Sequence, residues 1–162
     1  MWRAIPFLLV ACAAHADVTV IGNSIALSTP TPAVGWTGNH GMAASSPATD
    51  YAHLIGAARI YNFATLERGQ PYTLPAGPMQ TLVVQLGDNA TQDVPAFMTR
   101  YRAMLRTLKP QRLVCVSTFW NDPARDAAIY DACTEARGEY VFMALRISMW
   151  IHSLPGYSQK TD

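Results

Sequence analysis

Val18-Thr19-Val20-Ile21-Gly22-Asn23-Ser24 is the stretch from which the fold of this chain is read. Four residues with strong strand preference run into Gly-Asn-Ser, so a strand ends in a turn that carries a hydroxyl. Leu82-Val83-Val84-Gln85-Leu86 repeats the pattern and ends in Gly87-Asp88-Asn89. Open parallel sheets place their ligands along the carboxyl edge of the strands. The two strand ends therefore deliver a serine and a carboxamide to one crevice.

Outward from these, short β-branched or apolar runs recur at 17–21, 58–62, 81–86, 112–118 and 139–144. Helical patterns lie between most of them. Residues 93–108 place Val94, Phe97, Met98, Tyr101, Met104, Leu105 and Leu108 on one face, and Pro110 stops the helix. A second helix starts at Asp122-Pro123, an N-cap followed by proline at the first helical position. Its inward side is Ile129, Ala132, Cys133 and Ala136, and Gly138 is its expected C-cap. A shorter helix is expected over 47–57, with Tyr51, Leu54 and Ile55 inward and His53 outward. Strands alternating with helices imply βαβ units and a parallel sheet covered on both faces. The stretch 28–46 has two prolines, three glycines and no periodicity. Loops that long are usually functional or disordered. Because this one follows Ser24 and contains Trp36, Asn39, His40 and Met42, it is read as a wall of the crevice.

A length of 162 residues suits one domain. Half the residues are hydrophobic and 14% are charged, which allows a sizeable core and argues against disorder. The net charge of +1, without any basic run, argues against nucleic acid as a partner. The sequence contains no G-x-x-x-x-G-K-[ST], G-x-G-x-x-G, C-x-x-C or H-E-x-x-H pattern, so neither a metal nor a cofactor is called for. Residues 1–16 read as a signal peptide. Met1-Trp2-Arg3 is a positive start, Ala4 to Ala14 is apolar but too short to span a bilayer, and Ala14-His15-Ala16 offers a cleavage site. The competing reading takes Leu9-Val10-Ala11-Cys12 as a lipobox, with a lipidated Cys12 as the only membrane attachment. Either reading places the domain, residues 17–162, outside the cytoplasm, in the periplasm or secreted. Cys115 reads as mid-strand and Cys133 as the buried face of a helix, and they are expected as two separate core thiols.

A serine needs a base to take its proton and donors to hold the oxyanion that follows. Gly-x-Ser after a strand is alone no more than a turn, and Gly87-x-Asn89 is equally common. Their order, on the first and third strands, gives the pair its meaning. Here the chain resembles the SGNH hydrolase superfamily, also called GDSL esterases and lipases. Gly22-Asn23-Ser24-Ile25 matches the G-D-S-x block with Asn23 for the aspartate, and Gly87-Asp88-Asn89-Ala90 matches G-x-N-D with Ala90 for the final aspartate. The resemblance covers roughly residues 17–144. It implies a three-layer α/β/α fold with a five-stranded parallel sheet in the order 2-1-3-4-5. It implies a hydrolase of acyl or acetyl esters of carbohydrates or lipids that needs no cofactor. Ser24 would be the nucleophile, and its backbone N–H and the Asn89 side chain would form the oxyanion hole. Gly22, Asn23, Trp36, Asn39, His40, Gly87 and Asp88 would surround the ligand.

The second block should add a glycine N–H after the second strand, where Ala64 and Gly69 are the available donors. The family's last block, D-x-x-H, is not matched near the end of the chain. His152 is the histidine there and the expected base, but Met149 stands three residues before it. His40 can also approach the site. A closing helix is expected to be missing or altered over residues 145–162, and a truncated or frameshifted reading frame is one explanation. An inactive relative that keeps the crevice as a ligand-binding domain is the alternative to an esterase.

Overall fold

The computed structural model describes residues 17–34, 36–42, 44, 46–90, 93–120 and 122–142. Its strands are β1 Val18–Gly22, β2 Ala57–Asn62, β3 Thr81–Gln85, β4 Arg112–Val116 and β5 Glu139–Val141. They form one sheet in the order β2-β1-β3-β4-β5, and every pairing is parallel. Gly22 pairs with Asn62 and Gln85, and Gln85 pairs with Val116. The carboxyl ends of four strands are therefore level, and the turns that follow them open on one edge.

Alternation along the strands sorts the core into two layers. Ile21, Leu82, Val84 and Cys115 face α3 (Val94–Leu108) and α4 (Pro123–Glu135), where Phe97, Tyr101, Met104 and Ile129 complete the larger cluster. Val20, Val83 and Val116 face the other way, against Ala26 and Ala52 of α1 (Tyr51–Leu54). The α/β architecture is the one expected from the alternating runs.

α3 starts on Asp93, whose carboxylate accepts from the Ala96 N–H at 2.9 Å, and it buries Phe97, Met98, Tyr101, Met104 and Leu105 as the periodicity predicts. α4 starts on Asp122, which accepts from the Arg125 N–H at 3.0 Å. Its end differs from expectation. Ala136 is the C-cap, and Arg137 takes the left-handed conformation (φ 58°) that glycine usually supplies. Gly138 serves close packing instead: a Cβ there would stand 2.7 Å from the Cys133 sulfur and 2.8 Å from Leu113 Cγ.

Two other expectations are corrected. Residues 47–57 are not one helix but a 3₁₀ turn, Pro47–Thr49, and the single turn α1, after which the chain enters β2. Leu54 and Ile55 are 68% and 45% exposed, while Ala52 is buried. At 3.6 residues per turn Leu54 lies about 200° around the axis from Ala52, on the outer side. Cys115 and Cys133 are not separate thiols. They form a disulfide with Cα atoms 6.1 Å apart, because the inward face of α4 lies directly on β4. Residues 1–16, read as a signal peptide from the sequence and including Cys12, and His152 and the tail 145–162 lie outside the described residues. Among the described residues no helix is long and apolar enough to cross a membrane.

The core sets an alkaline limit. Burial raises the hydroxyl pKa of Tyr101 and Tyr51 well above the ordinary tyrosine range, with a further rise from Tyr140 for the first and from Asp50 and Asp88 for the second. Burial, then the charge of Asp126, pushes Tyr140 up to about 12. A free tyrosine ionises near 10, so between that pH and the native values the unfolded chain binds fewer protons than the native one. This contribution to stability is complete below about pH 10 and falls as pH rises through 12. Tyrosinate absorbance should show Tyr51 and Tyr101, two of the seven tyrosines, ionising only together with loss of the circular dichroism signal. Their ionisation in a still-folded protein near pH 10 would contradict it.

Candidate active site

Ser24 lies just past the end of β1, half-buried, in a turn closed by the Ala26 and Leu27 N–H groups, both donating to the Asn23 carbonyl at 3.0 Å. The Asn23 side chain also accepts from the Ile25 N–H at 2.9 Å. Among the described residues, neither the Ser24 hydroxyl nor its backbone N–H makes a hydrogen bond. A hydroxyl and a donor are thus left available at the same residue.

Asn89 follows β3, the strand beside β1. Neighbouring strands lie about 4.8 Å apart, so the Ser24 and Asn89 turns emerge side by side. Gly87 makes the second turn possible. Its φ is 131°, and a Cβ there would press on Ile129 and Thr118 at 3.0 Å. Arg125 Nη1 donates to the Gly87 carbonyl and fixes it from α4.

The residue that organises this edge is one the sequence reading did not select. Glu67 ends α2 (Ala64–Glu67), the short helix after β2, and is 3% exposed. Its carboxylate accepts from Asn23 Nδ2 at 3.2 Å, from Asn89 Nδ2 at 2.7 Å, from the Gly87 N–H, and from the Asn89 N–H at 3.4 Å. Among the described residues no cation pairs with it. Buried charge is held here by hydrogen bonds alone, the arrangement that makes each bond strong. Asp88 makes a second tie. One oxygen accepts from Asn23 Nδ2 at 3.1 Å and Gln85 Nε2 at 2.6 Å, and the other from the Phe119 and Trp120 N–H groups at 2.7 and 3.3 Å.

The expected ligand contacts sort accordingly. Gly22, Asn23 and Gly87 are buried, and the Asn23 carboxamide is spent on internal bonds. Asp88 is half-buried with both oxygens engaged. Of the two expected second-block donors, the Ala64 N–H goes to Asn62 Oδ1 at 2.9 Å and the Gly69 N–H to the Leu66 carbonyl at 3.2 Å. The loop carrying Trp36, Asn39 and His40 does lie along the Ser24 turn. Met42 N–H donates to the Ser24 carbonyl at 2.8 Å, and Ser28 N–H donates to the His40 carbonyl at 3.0 Å. The Trp36 and His40 rings pack at a tilt of 56° with centroids 4.7 Å apart, Asn39 is exposed, and the buried His40 ring has no hydrogen-bond partner among the described residues.

The D-x-x-H spacing sought near the end of the chain occurs internally, as Asp50-Tyr51-Ala52-His53. The outward position expected for His53 holds, but its ring is not merely solvated: Nδ1 lies 3.2 Å from the buried Asp50 carboxylate. Asp50 also accepts from the Gly41 N–H at 2.7 Å, which joins this pair to the loop along Ser24. A cavity of about 560 Å³ has Arg68, Gly69, Asn89, Asp93 and Arg100 among its lining residues, and Ser24 is not one of them. Arg100 is anchored there by bonds from Nε and Nη2 to the Leu66 and Glu67 carbonyls, at 2.9 and 3.2 Å. Among the described residues no group of three or more metal-binding side chains is clustered.

No protein-family model matches the chain, and neither a search of curated proteins nor one of solved structures gave a match.

Proposed function

We propose that this chain is an SGNH-type serine esterase fold acting on carboxylic esters, acyl or acetyl, of carbohydrates or lipids. The observation that carries the reading is Ser24 just past the end of β1, its hydroxyl and N–H both without a partner among the described residues, beside the anchored Asn89 after the adjacent β3. In the reaction Ser24 Oγ adds to the ester carbonyl carbon and its proton passes to a histidine. The oxyanion is held by the Ser24 N–H and by the Asn89 N–H not given to Glu67. The C–O bond to the alcohol then breaks, the alcohol leaves with the proton, and water releases the acid and restores Ser24. His152 is the base the family resemblance suggests, with His40 and the Asp50-oriented His53 as the described alternatives. Export, by cleavage after Ala16 or by lipidation of Cys12, belongs to the same proposal. The Cys115–Cys133 disulfide supports it, since such bonds persist in oxidising compartments.

A fluorophosphonate probe tests the nucleophile. Attack by Ser24 forms an O–P bond, fluoride leaves, and the proton goes to the base. Labelling of the intact protein and its loss in Ser24→Ala is the expected result, and His40→Ala, His53→Ala and His152→Ala then identify the base. The absence of any imidazole bonded to Ser24 Oγ among the described residues favours a second reading, a ligand-binding domain. A cooperatively folded protein that takes no label would decide for it.

A further inference from the structure

We infer that Glu67 is a positioning residue that fixes the Asn89 carboxamide for oxyanion binding; this rests on the acyl-transfer reading above. A free asparagine side chain rotates about two bonds and can present either its oxygen or its nitrogen. The Glu67 carboxylate removes that choice. Its Oε2 takes one Asn89 Nδ2 hydrogen at 2.7 Å, so the nitrogen faces Glu67 and the second hydrogen on the same atom points away from it. Oε1 takes the Gly87 and Asn89 backbone N–H groups, so the carboxylate holds the turn together with the side chain. The same oxygen takes Asn23 Nδ2, in the turn that carries Ser24. One buried carboxylate thus sets the nucleophile turn and the oxyanion donor against each other. Only an acceptor can do this. An amide at position 67 keeps one carbonyl oxygen but turns its NH2 either toward the three donors at Oε1 or toward the Asn89 Nδ2 at Oε2.

The test combines Glu67→Gln, Asn89→Ala and the double variant in steady-state hydrolysis of a short-chain acyl ester. Removal of one oxyanion donor lowers kcat by about 10²–10³, and losing only its alignment should cost about 10- to 100-fold in kcat with KM little changed. In the Asn89→Ala background Glu67→Gln should cost clearly less than in the parent, because the part of its effect that runs through the Asn89 carboxamide is already lost. A full additional loss in that background, or a rise in KM in place of a fall in kcat, would overturn the proposal. If Glu67→Gln does not fold, NMR of the unsubstituted protein decides. One Asn89 side-chain amide proton should exchange slowly with water and couple across its hydrogen bond to the Glu67 carboxylate. Fast exchange of both protons would sink the idea. A protected proton in a protein that takes no Ser24-dependent label would support the Glu67–Asn89 arrangement and count against the acyl-transfer reading alone.

Discussion

Asp88→Ala should destabilise the protein by about 3–5 kcal/mol, since hydrogen bonds to charged groups contribute about 1.5–3 kcal/mol each and a stranded buried donor costs about 1–3. The Asp88 carboxylate is the acceptor for side chains from the β1 and β3 ends and for two backbone N–H groups after β4. Without it the Phe119 N–H, at 2.7 Å, and the buried Gln85 amide, at 2.6 Å, lose their shortest bonds. Water can reach part of this half-buried site, which keeps the loss below the sum of the single bonds. A domain of this size should melt about 10 °C lower or more. Asp88→Asn keeps one carbonyl oxygen and the shape, so its loss should be roughly half as large. The thermal midpoints of the two variants and the parent check this. Two variants equal to the parent would mean that the strand ends are held without Asp88.

The second large effect is at the disulfide. Cys115 and Cys133 are 18 residues apart, and closing a loop of that size removes about 3 kcal/mol of chain entropy from the unfolded state. Both residues are fully buried, so a reductant should reach the bond only when the protein opens. Urea unfolding with and without reductant should therefore differ by about 3 kcal/mol, and Cys115→Ala/Cys133→Ala should match the reduced protein. Equal stability of the oxidised and reduced forms would contradict it. The bond also ties α4 to β4, the strand whose end carries the two N–H groups held by Asp88. Its loss should therefore loosen the same edge of the sheet.

Much of the fold was legible because its signals are local. The β-branched runs, the Asp122 cap and the stripe from Phe97 to Leu105 each depend on a few neighbouring residues, and each is found where the pattern puts it. The short α1 was misread because Leu54 and Ile55 are apolar, and apolar residues at a chain surface look the same in sequence as buried ones. Ser24 and Asn89 were legible as strand-end residues. Glu67 was not, because it stands in a surface-looking Leu-Glu-Arg-Gly run and only its partners reveal its role.

From residues alone follow the parallel sheet, its alternation with helices, and the pairing of a serine turn with an asparagine turn on one edge. Those rest on period, propensity and turn chemistry, which act over a few residues. The tertiary structure decided what the acids and cysteines do. Glu67 meets Asn23 across 44 residues and Asn89 across 22, and Asp88 meets Phe119 across 31. A carboxylate is costly to bury unless donors converge on it, and in this chain the donors converge only once the strand ends are brought level.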